Sequence, residues 1–309
     1  MCRCGCGNVA AGKGMHAAKL ANEAGSGSHD GESVYAAVLW AAMEAEAFRS
    51  ADINHLIDTG LSQIPEDCNV AKMIADIRIW HHDLPDWRDC RQKIQDHYGY
   101  DKYFGNCHVM PNHALMIMTM IYAPDDFSKG QMIVNTSGWD TDCNAGNVGC
   151  LHGIMLGLDG LNMGPDWRGP IADRMLISSA DGGNSINDAV RMAYYITNLG
   201  RQLDGQKGID APKGGSQFHF SLPGSVQGFQ IVSGDGLVSS ADSSIQISSN
   251  GGEVVATSPM FATLDVLRMR TYDLMASPLI YSGQKVSARV IASQKNAGEI
   301  MVAFRMRHY

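Results

Sequence analysis

The sequence predicts a mainly α fold: an all-α domain over residues 1–205, a linker at 206–216, and a small β-sandwich over 217–309 that is expected to be incomplete. Three observations predict it. From Ala10 to about Gln202 the apolar residues recur at steps of three and four, the period of helices that turn one face to a core. "LDGQKGIDAPKGGSQ", Leu203 to Gln217, interrupts that pattern with Gly, Pro and Lys in the manner of a linker. Beyond it apolar and polar residues alternate, as in half-buried strands.

The first strong element is "ESVYAAVLWAAMEAEAFRS", rich in Ala, Glu and Met, which places Val34, Ala37, Val38, Ala41, Ala42, Ala45 and Phe48 on one stripe. "SADINHLIDTGLSQIP" follows, with Ser50 or Asp52 as N-cap and a proline stop. "PNHALMIMTMIYAPDDF" reads as a further apolar helix ended by Pro124, its Met116, Met118 and Met120 filling core, and "SINDAVRMAYYITNLGRQL" as another. The pairs Glu66-Asp67 and Asp125-Asp126 read as N-caps. "SSIQISSNGGEVVATS", "QKVSARVIAS" and "EIMVAFRMRHY" are the candidate strands.

A chain of 309 residues with 45% hydrophobic and 18% charged residues can bury about two cores. Its net charge of -8 lacks the clustered basic face that nucleic acid demands. No apolar run approaches the roughly 20 residues of a membrane span, and the first 22 residues lack a signal-peptide core, so a cytoplasmic protein with no membrane partner is expected. The eight cysteines are not spaced as a disulfide framework. "MCRCGCG" has no matching Cys/His group for a zinc site and is read as a poorly ordered end.

The chemistry concentrates in "NTSGWDTDCNAGNVGCLHG", Asn135 to Gly153. Asp140 and Asp142 fall where a loop enters a helix, so either could simply cap it. An Asp-x-Asp loop also offers a hard divalent cation two carboxylates with hydroxyl or carbonyl oxygens in reach. Both readings stand on residue types alone. Cys143, Cys150 and His152 share a helical face but lack a fourth ligand, which favours core over zinc. Gly149, Gly153 and Gly157 recur every fourth residue and are read as a packing face. His108 is read as either pocket or cap.

"GWDTDCNAGNVG" resembles the C-terminal metal motif of the ADP-ribosylglycohydrolase family, the group that includes dinitrogenase reductase-activating glycohydrolase, whose pattern is close to Gly-Gly-Asp-Thr-Asp-Thr-Asn-Ala. "SHDGESVYAAVLWAAMEAEAF" is similar to the Ser/Thr-His segment that leads into the family's alanine-rich helix. "CHVMPNHALMIMTMIYAPDDFSKGQMIVNTSGWDTD" resembles the helix pair delivering the metal loop. The likeness runs from about Ala10 to Leu203, and the β-region resembles an accessory domain of some bacterial members.

The resemblance implies an all-α glycohydrolase domain and a Mg²⁺-dependent hydrolase, with two Mg²⁺ in a complete site, cleaving the bond between ADP-ribose or a related ribosyl group and its target. The partner implied is an ADP-ribosylated protein or a small ADP-ribosyl compound. Asp140, Asp142 and Cys143 fall on the metal positions, and His29 on the substrate side; His108, read as pocket or cap on its own residue context, is the other substrate-binding candidate. Cys143 stands where the family has threonine, and a thiol is a poor Mg²⁺ ligand. Nothing before His29 matches the family's Thr-Asp-Asp motif, so the chain is expected to be a fragment with half a metal site, weak in metal binding and slow if active. The competing expectation is a non-catalytic ligand-binding or pseudoenzyme module whose β-domain binds carbohydrate or protein.

Overall fold

The computed structural model describes residues 4–176, 186–259, 268, 283, 285–292 and 298–303. The chain divides into two compact units, Met1–Arg174 with Asp188–Ser258, and Met175–Asn187 with Pro259–Tyr309.

The helices run α1 (Cys4–Val9), α2 (Gly14–Ser26), α3 (Gly31–Ala47), α4 (Ile53–Leu61), α5 (Asn69–Asp83), α6 (Trp87–Tyr98), α7 (Val109–Tyr122), α8 (Phe127–Thr136), α9 (Thr141–Leu161) and α10 (Ala189–Leu203). The mainly α fold expected from the sequence is thereby observed. α3 is the central post. The sequence assigned it one stripe, but Leu39, Trp40, Met43 and Glu44 are buried as well as Val34, Val38, Ala41, Ala42 and Ala45. Phe48, placed on that stripe, lies past the helix end and is 50% exposed, and Ala37 is only half-buried. A helix wrapped by neighbours on all sides has no polar face for periodicity to reveal.

One cluster packs Leu39 and Met43 against Leu56 and Ile57 of α4, Met73, Ile74 and Ile77 of α5, Ile94 of α6, Leu115, Ile117 and Met118 of α7, Ile133 and Val134 of α8, and Val148 and Leu151 of α9. Each such side chain, fully buried, contributes about 1.5–3 kcal/mol. A second, alanine-lined seam joins α2 to α3 through Ala17, Ala18, Ala21, Val38 and Ala42, where small side chains let the backbones approach. α1 is docked there too: a β-carbon on Gly7 would lie 2.5 Å from Glu44 Cβ. The poorly ordered end read from the sequence is therefore a helix from Cys4 onward, because its glycines allow close approach.

Several caps follow local chemistry. Asp52 accepts from the Asn54 and His55 amides, Asp126 from Lys129, and Asp188 from Arg191. Glu66 and Asp67 make no capping bond among the described residues: the N-cap of α5 is Cys68, whose Sγ accepts from the Ala71 amide, while the Glu32 carboxylate takes the Asn69 and Val70 amides at 2.8 and 2.9 Å. That long-range partner won because α3 presents Glu32 to the open end of α5.

The strands are short. β1 (Arg174–Leu176) pairs with β2 (Ile186–Asp188). β3 (Gln230–Ser233) pairs antiparallel with β6 (Val255–Thr257), and β4 (Gly236–Ala241) with β5 (Ser244–Ser249). The sequence offered "SSIQISSNGGEVVATS" as candidate strands with a turn between them; alternation marks a strand but not its partner, and β5 pairs with the preceding β4 while β6 pairs with β3. Residues 285–292 and 299–303, expected in strands, carry no strand, and the rest of those two segments lies outside the described residues. An alternating segment becomes a strand only when a ladder pairs it.

Candidate functional site

The acid pair sits at the junction of α8 and α9. α8 ends at Thr136, and the chain reverses through Ser137, Gly138 and Trp139 before α9 begins. Gly138 and Trp139 both have positive φ, +82° and +64°. Glycine takes that conformation freely, whereas for a bulky residue it is strained by roughly 1–3 kcal/mol and persists only where neighbours impose it. They do. The Arg91 guanidinium of α6 lies 4.1 Å from the Trp139 ring centre and donates from Nε to the Ser137 carbonyl at 2.9 Å, and the Tyr100 ring meets the indole edge-on.

Asp140 occupies the N-cap position of α9, yet its side chain makes no capping hydrogen bond, as at Asp30 of α3 and unlike Asp52, Asp86, Asp126 and Asp188. Its backbone amide donates instead to Asn112 Oδ1 at 3.1 Å. The carboxylate is left beside Asp142 and Cys143, all three groups offering donor atoms within 4.8 Å of one another. Among the described residues neither aspartate forms an ion pair. Two like charges held this close at the positive end of a helix invite a cation.

Two exposed thiols flank the pair. The Asp140 carboxylate, bonded to it, pushes the Cys107 thiol above its ordinary value. Desolvation and then Asp140 do the same to Cys143. Both are thus held protonated at neutral pH in the absence of a compensating positive charge.

His108 is the N-cap of α7, its Nδ1 accepting from the Met110 amide at 3.2 Å, and its ring packs on Tyr103. Its Nε2 therefore carries the proton. His29 lies in the exposed turn between α2 and α3, Nδ1 against Ser28 Oγ at 2.8 Å. The geometry thus brings Asp140, Asp142 and Cys143 together, while no described contact joins either histidine to them. His152 is fully buried with Nε2 on the Ala123 carbonyl at 2.8 Å, and Cys150 accepts from Asn8, so the zinc reading of that face has no ligand set. Of the three spaced glycines only Gly149 meets a neighbour, Gln131; Gly157 is instead a break in α9 with φ +62°.

Sequence reasoning missed Asn112, Arg91, Tyr100 and Trp139. The one available signal was Asn112 itself, a lone amide inside an apolar helix run, which must find partners when buried.

Comparison with family models gives a match over residues 1–197 to the family described as ADP-ribosylglycohydrolase. Comparison with curated proteins and with solved structures gives no match.

Proposed function

We propose that this chain, which belongs to the ADP-ribosylglycohydrolase family, hydrolyses the glycosidic bond between ADP-ribose or a related ribosyl group and the protein or small molecule that bears it, using a divalent cation held at Asp140 and Asp142. A glycohydrolase-type activity follows from the family. The metal rests on one observation: an N-cap aspartate whose carboxylate makes no capping bond lies with a second acid and Cys143, their donor atoms within 4.8 Å of one another.

The donor set tests the ion. Magnesium takes oxygen ligands in an octahedron and keeps several waters, which suits two carboxylates with open solvent beside them. The Cys143 sulfur does not suit it, since soft thiolates select softer metals. In this reading Asp140 and Asp142 hold the cation, and Cys143 at their edge biases the choice among ions. A bound divalent cation supplies positive charge for ribose hydroxyls and a more acidic water. The chain's own residues do the positioning. Trp139, locked by Arg91 and Tyr100, fixes where the two carboxylates begin, and His108, with Nδ1 spent on its helix, offers Nε2–H to a substrate oxygen. His29 belongs to the substrate side as well, exposed and able to turn toward a bound ligand.

The test is release of free ADP-ribose from arginine-linked, serine-linked and polymeric substrates, with Mg²⁺ or Mn²⁺ and with chelator. Metal-dependent release from one class, lowered at least about 100-fold in Asp140→Asn, supports hydrolysis at this site. Release that ignores chelator and Asp140→Asn would place the activity elsewhere, and silence on every class would favour the non-catalytic binding module.

A further inference from the structure

We infer that Asn112 is the positioning residue of the acid pair, an inference that rests on the metal reading above. Asn112, in the first turns of α7, is buried, only 6% exposed. A carboxamide can accept two hydrogen bonds and donate two, and Asn112 makes all four. Nδ2 donates to Tyr100 Oη at 2.7 Å and to the His108 carbonyl at 2.9 Å. Oδ1 accepts from the Asp140 amide at 3.1 Å and from Asn144 Nδ2 at 3.0 Å.

The last two bonds matter most. Asp140 and Asn144 are the two ends of the first turn of α9, so a single oxygen of α7 brackets the segment carrying Asp142 and Cys143. Asn144 is itself 2% exposed and has its side chain turned to that oxygen, which fixes the rotation of α9 about its axis. The other half of the amide reaches Tyr100, whose ring abuts Trp139 at 5.5 Å between centres. Asn112 therefore touches the loop before the acids directly and through Tyr100, and the turn after them through Asn144. The carboxylates are set by the protein before any cation arrives, which removes an ordering cost from binding. Outer partners of metal ligands typically control affinity about 10- to 100-fold when removed.

The test uses Mn²⁺ alone as probe, titrated calorimetrically into the whole chain, with amide hydrogen exchange read over residues 138–145. Asn112→Ala is expected to weaken Mn²⁺ binding about 10- to 100-fold and to speed exchange at Asp140, with Tyr100→Phe intermediate in both. Ile74→Ala, a buried change in α5 that also lowers the melting temperature, is expected to leave affinity and local exchange unchanged, which separates positioning from general stability. Unaltered exchange at Asp140 in Asn112→Ala overturns the inference whatever the affinity does. Absence of Mn²⁺ binding by the wild-type chain would overturn the metal reading instead, and with it any positioning of ligands, while the exchange result would still report whether the loop is held.

Discussion

Gly130 of α8 lies directly against the His152 ring of α9: a β-carbon at residue 130 would come within 2.4 Å of His152 Cε1. This contact sets the spacing of the two helices whose junction carries Asp140. Because His152 is fully buried and tied to the Ala123 carbonyl, the ring cannot step aside cheaply. Gly130→Ala should therefore cost about 1–3 kcal/mol through overpacking, a fall of roughly 2–10 °C in melting temperature. Scanning calorimetry on the variant checks it, and pairing it with His152→Ala should give less than the sum of the two losses.

Glu32 should prove to be the cap of α5 in place of the acids beside it in sequence. Glu32→Ala removes the acceptor of two helix amides and should lower stability by about 1–2 kcal/mol. Glu66→Ala and Asp67→Ala should stay within about 0.5 kcal/mol of wild type. Urea denaturation of the three variants side by side distinguishes the long-range cap from the local one.

These first two predictions also mark what was legible in the sequence. Caps made by a residue on its own helix, such as Asp52 and Asp126, could be read because the donor lies two or three positions away. Glu32 acts across 37 residues, and no local pattern reports that. The helical unit was legible from period, and α3 from composition, though not its burial on every side. The acid pair was visible as Asp-x-Asp, but whether it caps or binds was not. That distinction lies in the Asp140 carboxylate, which makes no capping bond, while its backbone amide is held by Asn112 from 28 residues away. Strand existence was partly visible and pairing was not, since β4 and β5 chose each other by proximity.

His113 should make the fold acid-sensitive. Burial pulls its imidazole down to about 4 from an ordinary 6.5, and its Nε2, beside Trp40, has no hydrogen-bond partner among the described residues. The sign follows from proton uptake: the unfolded chain binds this proton below pH 6.5 while the folded chain refuses it until about 4. Stability from this group is full above 6.5 and lost as pH falls toward 4, by roughly 3 kcal/mol. His113→Phe should flatten the dependence of denaturation midpoint on pH in that window.

Cys107 should alkylate slowly for an exposed thiol, because the Asp140 carboxylate opposes its ionisation. Asp140→Asn should speed its reaction with iodoacetamide near pH 8, when followed by peptide mass spectrometry. Equal rates in the two proteins would show that Asp140 does not govern this thiol.

The choice among ions should depend on Cys143. Cys143→Thr exchanges a soft donor for a hard hydroxyl and should move preference from Zn²⁺ toward Mg²⁺ by about tenfold or more, read by competition titration. Affinity for both ions unchanged would place the thiol outside the site.

The most direct measurement is Mn²⁺ titration of the wild-type chain against Asp140→Asn, Asp142→Asn and the double variant. If the two carboxylates hold one cation, each single change weakens binding steeply and the double change adds little more. Binding that survives in the double variant, or a wild-type chain that binds no Mn²⁺, would return Asp140 and Asp142 to the ordinary acidic start of a helix.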